Sequence, residues 1–453
     1  MKQALDWSDY HDQGMGDAYA DIPKNGGNYA KAISVCIRSG VCQEANNRGV
    51  MCPSYRISHD ANLSPGGRVQ LFKKLLNTDD KAFLHDRALA ESMDLCVSCK
   101  GCKRECENNL DMAAIKAEYL AQKHQAGLSS RRSRLFAEFP YLLYRYPILA
   151  SFIRLRNKSR LFMWLGEKLF GVNGNISMPE PARQPYRDSA EQKRLNRIFS
   201  QEGEHPQTVV LLIDSFIALF KPEVVDDALK VLSRAGYQVI TVHPESTDGK
   251  TLTDSGRSLF SQGFIERATE QAQSLLNALK PHLNKGRRII GLEPSALLML
   301  RDEFLMMGLG DEMKRLADSA LLIEEFIARE YTAGRFNADF KPMAQSVLVH
   351  GHCHQKAVGA MKSVRKAMRL IPGLSFSFIE ASCCGMAGSF GLEAEHADES
   401  VEMAKQGLLP GLDADEAAVV VCNGFSCSHQ IFVLRGRKPL HLISLLAQQL
   451  KAV

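Results

Sequence analysis

The hydrophobic pattern is most regular in the last 250 or so residues, where short apolar runs alternate with longer amphipathic segments. Short apolar runs bounded by turn residues predict buried strands, and apolar residues every three or four positions predict helices, here each closed by a glycine. Two stretches have the order strand, helix, strand: 208–214, 223–236 and 237–242, then 346–353, 357–373 and 374–380. This order is that of a βαβ unit, so we expect parallel sheets.

The two stretches continue alike, which indicates an internal repeat. A glycine loop follows at 247–249 and at 383–385, and a further strand and loop lead to Ala296 and to Cys427. Aligning the copies places Cys353 opposite Ser215, Cys383 opposite Thr247, Cys384 opposite Asp248 and Cys427 opposite Ala296. We expect a first copy that keeps the fold and has lost its thiol ligands. The alternative is two generic α/β units that match partly by chance.

The composition is that of a globular protein, but the cysteines are unevenly distributed along the chain. The 453 residues are 45% hydrophobic and 24% charged, and a net charge of +5 is too mild to predict nucleic-acid binding. Twelve cysteines are too sparse for a disulfide scaffold, and they form two groups, seven from Cys36 to Cys106 and five from Cys353 to Cys427. The acidic start is unlike a secretory signal and no apolar run is long enough to span a bilayer, so we expect a reducing, cytoplasmic environment and cysteines that bind metal.

Four cysteines of the first group have the spacing C-x2-C-x2-C-x3-C, at Cys96, Cys99, Cys102 and Cys106. Two-residue gaps allow consecutive thiolates to surround one iron–sulfur cluster, while the fourth thiolate reaches a second cluster. Zinc sites more often use cysteine pairs separated by a longer loop, so structural zinc is the weaker interpretation.

The other three cysteines of this group, Cys36, Cys42 and Cys52, fit the same template with Ser39 in place of its second cysteine. By the crossed ligation of two-cluster ferredoxins, Cys52 completes a 4Fe-4S site with Cys96, Cys99 and Cys102, and Cys106 joins Cys36 and Cys42. This second site could hold a three-iron cluster or a four-iron cluster with a serine or solvent ligand. It could also be a set of buried structural thiols.

The second group resembles the cysteine-rich CCG module of heterodisulfide-reductase-like proteins. Its members are Cys353, Cys383, Cys384, Cys422 and Cys427, and the closing pair is C-x4-C where the module commonly has C-x2-C. Five thiolates could hold a noncubane iron–sulfur cluster, and four could hold zinc or another iron centre. Imidazole is an alternative ligand, offered here by His350, His352, His354 and His429. Buried thiols without metal are the other possibility.

The segment from 131 to 170 is cationic and rich in aromatic residues. Between Arg131 and Lys168 it carries nine Lys and Arg against two Glu. It could lie on an anionic membrane surface, with its cations at the headgroups and its aromatic rings at the acyl boundary. A helical connector packed on the neighbouring domains is an equally good interpretation.

Three stretches together, VCIRSGVC, MCPSYR with SPGGR downstream, and DLCVSCKGCKRECENNLDMAAIKAEYL, resemble the iron–sulfur portion of bacterial FAD-linked D-2-hydroxyacid dehydrogenases. The resemblance is closest to the D-lactate and D-2-hydroxyglutarate type, and more distant to the iron–sulfur subunits of glycolate oxidase and anaerobic glycerol-3-phosphate dehydrogenase. It departs at Glu107, where proline is usual, at Gly66, where arginine is common, and at Ala296, where cysteine is common.

The resemblance implies an α/β fold with an N-terminal α-helical ferredoxin-like domain followed by two CCG-type repeats with parallel sheets. We expect four segments: a ferredoxin-like domain at 1–125, a basic amphipathic connector at 126–205, a repeat without cysteines at 206–335 and a repeat with cysteines at 340–453. The implied function is electron transfer from FAD, on a partner domain or subunit, towards a quinone or another carrier. A heterodisulfide or thiol reductase subunit and a zinc-stabilised, non-catalytic assembly protein are the alternatives.

Overall fold

The computed structural model describes residues 2–8, 21–44, 49–79, 81–201, 207–245 and 251–451. The first part of the chain is a group of short helices, as its brief apolar periods predict. They are α1 (Gly27–Ser34), α2 (Pro53–Ser58), α3 (Pro65–Thr78), α4 (Ala82–His85), α5 (Arg87–Asp94), α6 (Gly101–Glu105) and α7 (Met112–Gln125). Side-chain caps set several helix starts: Ser64 accepts a hydrogen bond from the Gly67 N–H, and Asp111 from the Ala114 N–H.

The cationic segment forms three consecutive helices, and a fourth follows the proline-rich stretch. They are α8 (Arg131–Arg145), α9 (Leu149–Lys158), α10 (Arg160–Phe170) and α11 (Ala190–Gln201). The proline-rich stretch at 178–187 is bonded to the region that follows the first strand, because the Ala182 and Tyr186 N–H groups donate to the carbonyls of Leu219 and Ala218, both at 2.8 Å. In contrast, α10 buries none of its residues.

The repeated region forms two parallel sheets, which confirms the α/β class. The first sheet has β1 (Thr208–Leu212), β2 (Gln238–Val242), β3 (Arg288–Gly291) and β4 (Ala320–Leu322) in the order β2-β1-β3-β4. The second has β5 (Val347–Val349), β6 (Phe376–Phe378) and β7 (Val419–Val421) in the order β6-β5-β7. In both sheets the first strand therefore lies between the second and the third, with Val210 paired to Ile240 and Ile289, and Leu348 to Ser377 and Val420.

The helices of the two copies begin at matching positions. Ser215 and Cys353 are each the first residue of the helix after the central strand, and Ala296 and Cys427 are each the third residue of the helix after the third strand. Thr247 and Asp248 lie outside the described residues.

The helices of the repeated region are α12 (Ser215–Phe220), α13 (Pro222–Arg234), α14 (Arg257–Ser261), α15 (Ile265–Leu283), α16 (Pro294–Arg301), α17 (Glu312–Ser319), α18 (Ile323–Thr332), α19 (Cys353–Ala357), α20 (Met361–Met368), α21 (Ala397–Lys405), α22 (Leu408–Asp413), α23 (Phe425–Arg435) and α24 (Leu442–Gln449).

The first sheet joins the two halves of the molecule through its two faces. Val210 and Leu212 of β1 belong to one hydrophobic core with α3 and α7 of the N-terminal region, while Val209 and Leu211 belong to another core with β5 of the second sheet. This division follows from the two-residue period of a strand. Within the described ranges, none of the helices has the length and apolar character required to cross a membrane.

Candidate metal centres

The four cysteines predicted to hold the first cluster line one small cavity. Cys52, Cys96, Cys99 and Cys102 all contribute to its wall. The backbone turns sharply to bring them there, because Cys52, Ser98 and Lys100 have φ angles of 43°, 49° and 59°, in the left-handed region that non-glycine residues rarely adopt. The Gly101 N–H donates to the Cys99 Sγ at 3.4 Å. Buried thiols from two loops around one cavity suit a cube-shaped iron–sulfur cluster.

A buried arginine lies beside these thiols. Arg68 is 1% exposed and donates from Nη1 to the Cys52 Sγ at 3.7 Å, from Nη2 to the Ser54 Oγ and from Nε to the Ser92 carbonyl, both at 2.9 Å. Burial opposes its charge, but the neighbouring Cys96 and Cys52 sulfurs keep the pKa of Arg68 above its usual value. A fixed positive charge next to the thiols favours their anionic, metal-binding form. Arg68 is not among the site residues predicted from the sequence.

The three thiols predicted for the second site also lie together, but nearer the surface. Cys36, Cys42 and Cys106 are half-buried, and burial together with the two neighbouring sulfurs raises the pKa of Cys36. A Cβ placed on Gly66 would lie 3.3 Å from the Cys42 Sγ, so the glycine leaves space at these sulfurs. Ser39 is exposed, and among the described residues no hydrogen bond joins its hydroxyl to the three thiols.

The five thiols of the second group meet at the carboxyl ends of the strands of the second sheet, where α/β proteins place their ligands. The Cys384 and Cys427 Sγ atoms lie within 4.8 Å of each other. The Cys383 and Cys427 thiols lower the pKa of Cys384, and Cys384 and Cys422 raise the pKa of Cys427. Burial and the neighbouring Cys384 raise the pKa of Cys353 to about 12. Without a metal, the Cys353 thiol is therefore protonated at neutral pH. A bound metal cation would stabilise its thiolate form.

A glycine is required in the loop that carries the adjacent pair of thiols. Gly385 has a φ of 90°, and a Cβ there would lie 1.9 Å from the Ser400 carbonyl oxygen. Any larger residue would have to displace α21, which begins at Ala397. The Gly385 N–H also donates to the Cys383 Sγ at 3.3 Å. The glycine of the CCG sequence therefore sets the loop in which both sulfurs face the site.

Two half-buried lysines flank the five thiols, one from each copy of the repeat. Lys356, in α19, donates to the Ala381 carbonyl, and Lys221, which precedes α13 of the first copy, donates to the Ser428 Oγ at 2.7 Å. Burial lowers the pKa of both lysines, and the surrounding cysteine sulfurs oppose that change. These cations would compensate the negative charge of a thiolate cluster. Nothing in the sequence distinguishes them from surface lysines.

The four histidines of the second copy have separate roles. His350 has a ring nitrogen within 4.8 Å of both the Cys384 and Cys427 sulfurs. The His352 Nδ1 accepts from the His354 N–H at 3.1 Å and caps α19. The His429 Nε2 lies 2.9 Å from the Ser177 carbonyl oxygen, away from the thiols.

His354 joins the two thiol sites, because its Nε2 lies 3.0 Å from the carbonyl oxygen of Ser98, in the loop between Cys96 and Cys99. Burial and the neighbouring Cys353 raise the pKa of the buried Cys99 thiol. The first and second thiol sites are therefore adjacent.

A buried carboxyl lies just beneath the second site. The Glu324 oxygens, in α18, accept hydrogen bonds from Gln355 Nε2 and, at 3.2 Å, from Asn423 Nδ2. Burial raises the pKa of Glu324 to about 7. Gln355 in turn accepts from the His352 N–H at 2.8 Å. Glu324 therefore connects the loops that carry Cys353 and Cys422 and titrates near neutral pH.

The corresponding end of the first sheet carries carboxyl groups instead of thiols. Ser215, opposite Cys353 in the repeat, donates from its hydroxyl to Asp254 at 2.7 Å. Burial and mutual repulsion raise the pKa of Asp214, and burial raises that of Asp254 and Glu293. Ala296, opposite Cys427, is a buried core residue. Among the described residues, the first copy thus offers no thiol ligand.

A cavity of about 380 Å³ opens between the first and second thiol sites. Its wall includes Ser98 from the first and Cys353 from the second, and the remaining residues are charged, polar and apolar, with six phenylalanines among them. The aromatic residues that line it are Phe136, Phe139, Phe216, Phe220, Phe390 and Phe425. A small molecule in this cavity would contact both sites at once.

Buried, grouped thiols lie in the helical N-terminal region and at the end of a parallel sheet, an arrangement that suits bound metal centres. Residues 32–110 match the 4Fe-4S dicluster domain family. The chain is similar to D-2-hydroxyglutarate dehydrogenase of Escherichia coli (strain K12), with 23% identity over 92% of this chain and 43% of that protein. It is 22% identical to the enzyme of the same name from Pantoea ananatis, over 91% of this chain and 43% of that protein.

A second kind of relative matches a shorter part of the chain. One of the subunits of the anaerobic glycerol-3-phosphate dehydrogenase of Escherichia coli (strain K12) is 26% identical over 56% of this chain and 62% of that protein. These matches confirm the resemblance to dehydrogenases that the cysteine motifs indicate. The chain spans less than half the length of the D-2-hydroxyglutarate dehydrogenases it matches.

Proposed function

We propose that this chain is the iron–sulfur electron-transfer component of an FAD-dependent D-2-hydroxyacid dehydrogenase that oxidises D-2-hydroxyglutarate or D-lactate. Oxidation of the hydroxyacid to the 2-oxoacid gives two electrons and two protons to FAD, on a partner domain or subunit. Bound iron–sulfur clusters would take the electrons from the flavin one at a time. The length of the relatives supports this division, because more than half of each D-2-hydroxyglutarate dehydrogenase has no counterpart in this chain.

The observation that carries the proposal is the adjacency of the first and second thiol sites. His354 touches the loop of the first site while Cys353, its neighbour in sequence, belongs to the second. Two adjacent metal sites suit the transfer of single electrons from one cluster to the next. A protein that uses zinc only for stability would not need its two sites to be adjacent. In the proposed scheme, Cys52, Cys96, Cys99 and Cys102 hold a 4Fe-4S cluster, and the five thiols of the second copy hold an iron–sulfur or zinc centre.

A second N-terminal cluster belongs to the same scheme. The match to a dicluster family and the grouping of Cys36, Cys42 and Cys106 support it. Ser39 is exposed, so nothing in its position favours it as the fourth ligand. Because these thiols are less buried than those of the first site, we infer that this cluster is the one nearest the flavin partner.

The protein's own groups act on the sites by charge and hydrogen bonding. Arg68 beside the first site, and Lys221 and Lys356 beside the second, place positive charge next to groups that become more negative on reduction. The Gly101 and Gly385 N–H groups donate to sulfur and act in the same direction. Each of these interactions favours the reduced state and thereby raises the reduction potential.

The cavity between the first and second thiol sites is where we propose that the electron acceptor binds. The six phenylalanines in its wall could pack against a planar ring such as a quinone headgroup, and Ser98 and Cys353 would place the acceptor against both sites. A protein carrier would instead have to dock over the cavity mouth. The metal-loaded protein should reduce a short-chain soluble quinone if the quinone binds in the cavity. Phe216→Trp, which narrows the cavity, should then abolish this reduction, and this result would distinguish a quinone acceptor from a protein carrier.

We further propose that the protein is cytoplasmic and contacts the inner membrane through α9, α10 and the turn before them. Large apolar side chains project from this surface: Ile148, Phe152, Leu161, Trp164, Leu169 and Phe170 are each 53% to 70% exposed. The surrounding charge is basic, which complements anionic lipid. Vesicles of phosphatidylglycerol should bind the chain and vesicles of phosphatidylcholine should not. Trp164→Glu with Leu169→Glu should abolish binding, while Tyr331→Glu, at an exposed ring elsewhere, should leave it intact.

The central experiment uses the chain purified anaerobically together with the flavoprotein that co-purifies with it. D-2-hydroxyglutarate or D-lactate should bleach the cluster absorbance and produce an EPR signal. Cys99→Ser should remove the signal of the first site and leave the metal of the second. Cys36→Ser is the matched variant, since it should spare the first site. Stoichiometric zinc without iron, or cluster reduction by disulfides and by neither hydroxyacid, would overturn the proposal.

A further inference from the structure

His350 differs from the other histidines of the second copy in where its backbone holds it. It directly follows β5, and its N–H donates to the Val421 carbonyl of β7 at 2.9 Å. The residue is therefore fixed at the carboxyl end of the sheet, between the strands whose loops carry Cys353 and Cys422. Its side chain is 2% exposed.

The imidazole faces two of the five thiols. One ring nitrogen, the Cys384 Sγ and the Cys427 Sγ all lie within 4.8 Å of one another, although they come from three separate segments of the chain. Bonds of about 2.0 Å to nitrogen and about 2.3 Å to sulfur bring the ligands of one metal ion to within about 4 Å of each other. Small side-chain rotations would bring these three atoms onto one ion.

The second observation is independent of these distances. The His350 Nδ1 is buried and has no hydrogen-bond partner among the described residues. Leaving a buried polar atom without a partner costs about 1–3 kcal/mol, so such atoms usually have a function. His352, His354 and His429 each have a ring nitrogen in a hydrogen bond to the backbone.

The first copy of the repeat supports the same assignment. The alignment that places Ser215 opposite Cys353 places Leu212, a buried core residue, opposite His350. Among the described residues, the first copy has neither thiols nor an imidazole at this position of its sheet. The histidine is thus present in the copy that has the cysteines.

We propose that His350 is a metal ligand, so that the centre of the second copy has mixed coordination by one imidazole and by thiolates that include Cys384 and Cys427. The ion it binds is an iron of an iron–sulfur cluster or a zinc. With a single imidazole in place of a thiolate, the centre carries one negative charge less than an all-cysteine site. This inference concerns coordination and does not depend on which molecule supplies the electrons.

The test uses the full chain, purified anaerobically with its metal and labelled with ¹⁵N-histidine. Pulsed EPR of the reduced iron centre should show a strongly coupled nitrogen that changes with the label, and X-ray absorption at the zinc edge should show imidazole scattering if zinc occupies the site. His350→Gln should lose this nitrogen and bind the metal at least tenfold more weakly, since even residues that only orient a ligand affect affinity about 10- to 100-fold. His350→Cys should lose the nitrogen and keep the metal.

His429→Gln, in the same repeat, is the control and should keep both nitrogen and metal. Retention of the nitrogen signal in either His350 variant, absence of a nitrogen ligand in the unaltered protein, or absence of any metal at this site would overturn the inference. Far-UV circular dichroism shows whether His350→Gln folds, and His350→Cys serves if it does not. If the nitrogen ligand is present but no hydroxyacid reduces the clusters, the proposed function fails and this inference stands.

Discussion

Arg68 shows how one side chain can stabilise a metal site and tune it. Its guanidinium contacts Cys52 and Ser54 at the start of α2 and Ser92 in α5, so it joins two segments beside the first site. The planar guanidinium of arginine has five N–H donors and can reach three partners in different directions, whereas the single ammonium group of lysine cannot. The residue therefore holds the loops in place and also adds a positive charge beside the sulfurs.

We expect Arg68→Lys to lower the free energy of unfolding by about 3 kcal/mol, because buried partners lose their donors. Arg68→Met should in addition lower the reduction potential of the first cluster, since a positive charge that favours reduction is lost. Urea denaturation under anaerobic conditions measures the first effect, and EPR-monitored redox titration measures the second. Arg87→Lys is the control, because Arg87 is exposed and its ion pair with Glu91 lies on the surface. An Arg68→Met potential equal to or above the unaltered one would contradict the assignment.

At the scale of the element, strand and helix positions were predictable where the apolar period was clear. The strands predicted at 208–214 and 237–242 are found at 208–212 and 238–242, and the cysteine-bearing helix starts follow from the repeat. β4 (Ala320–Leu322) was not predicted, because three apolar residues between helices carry no period. Lys221, Lys356 and Glu324 could not be predicted as site residues, since only tertiary packing buries them.

Helix α18 contributes a titratable group to the second site. The pKa of Glu324 is about 7 in the folded chain against 4.5 for an ordinary glutamate. A carboxyl whose pKa is raised by folding stabilises the protein below the unfolded value, and this stability is lost as pH rises through the folded value. The free energy of unfolding should therefore fall by up to about 3 kcal/mol between pH 4.5 and pH 7.

We expect Glu324→Gln to reduce this fall, to which the buried Asp214, Asp254 and Glu293 also contribute. Chemical denaturation at intervals from pH 4.5 to pH 8 measures it. Glu330→Gln, on the same helix, is the matched variant, because Arg335 holds the pKa of Glu330 below its usual value. That variant should keep the fall between pH 4.5 and pH 7. If Glu324→Gln retains the same fall, another group is responsible.

At the scale of the whole molecule, the hydrophobic cores cross the segments predicted from the sequence. Phe72 and Leu76 of α3, Ala272 and Leu275 of α15, and Val210 of β1 belong to a single core. The division of the chain at residues 125, 205 and 335 is still a prediction about its organisation. The shared core implies that the helical N-terminal region and the first sheet stabilise each other. A second core joins the first sheet to β5 of the second sheet, so the two cores together keep the first and second thiol sites at a fixed separation.

Hydrogen exchange followed by mass spectrometry tests this coupling on the metal-loaded protein. Amides of α3 and α15 should exchange through one opening reaction with the same free energy, because neither helix can expose its buried face without the other. Helix α10 provides the internal reference and should exchange much faster, since it buries none of its residues. Exchange of α3 at a clearly lower free energy than α15 would show that the N-terminal region opens alone. In that case the two thiol sites would separate transiently, and electron transfer between them would depend on the fraction of closed molecules.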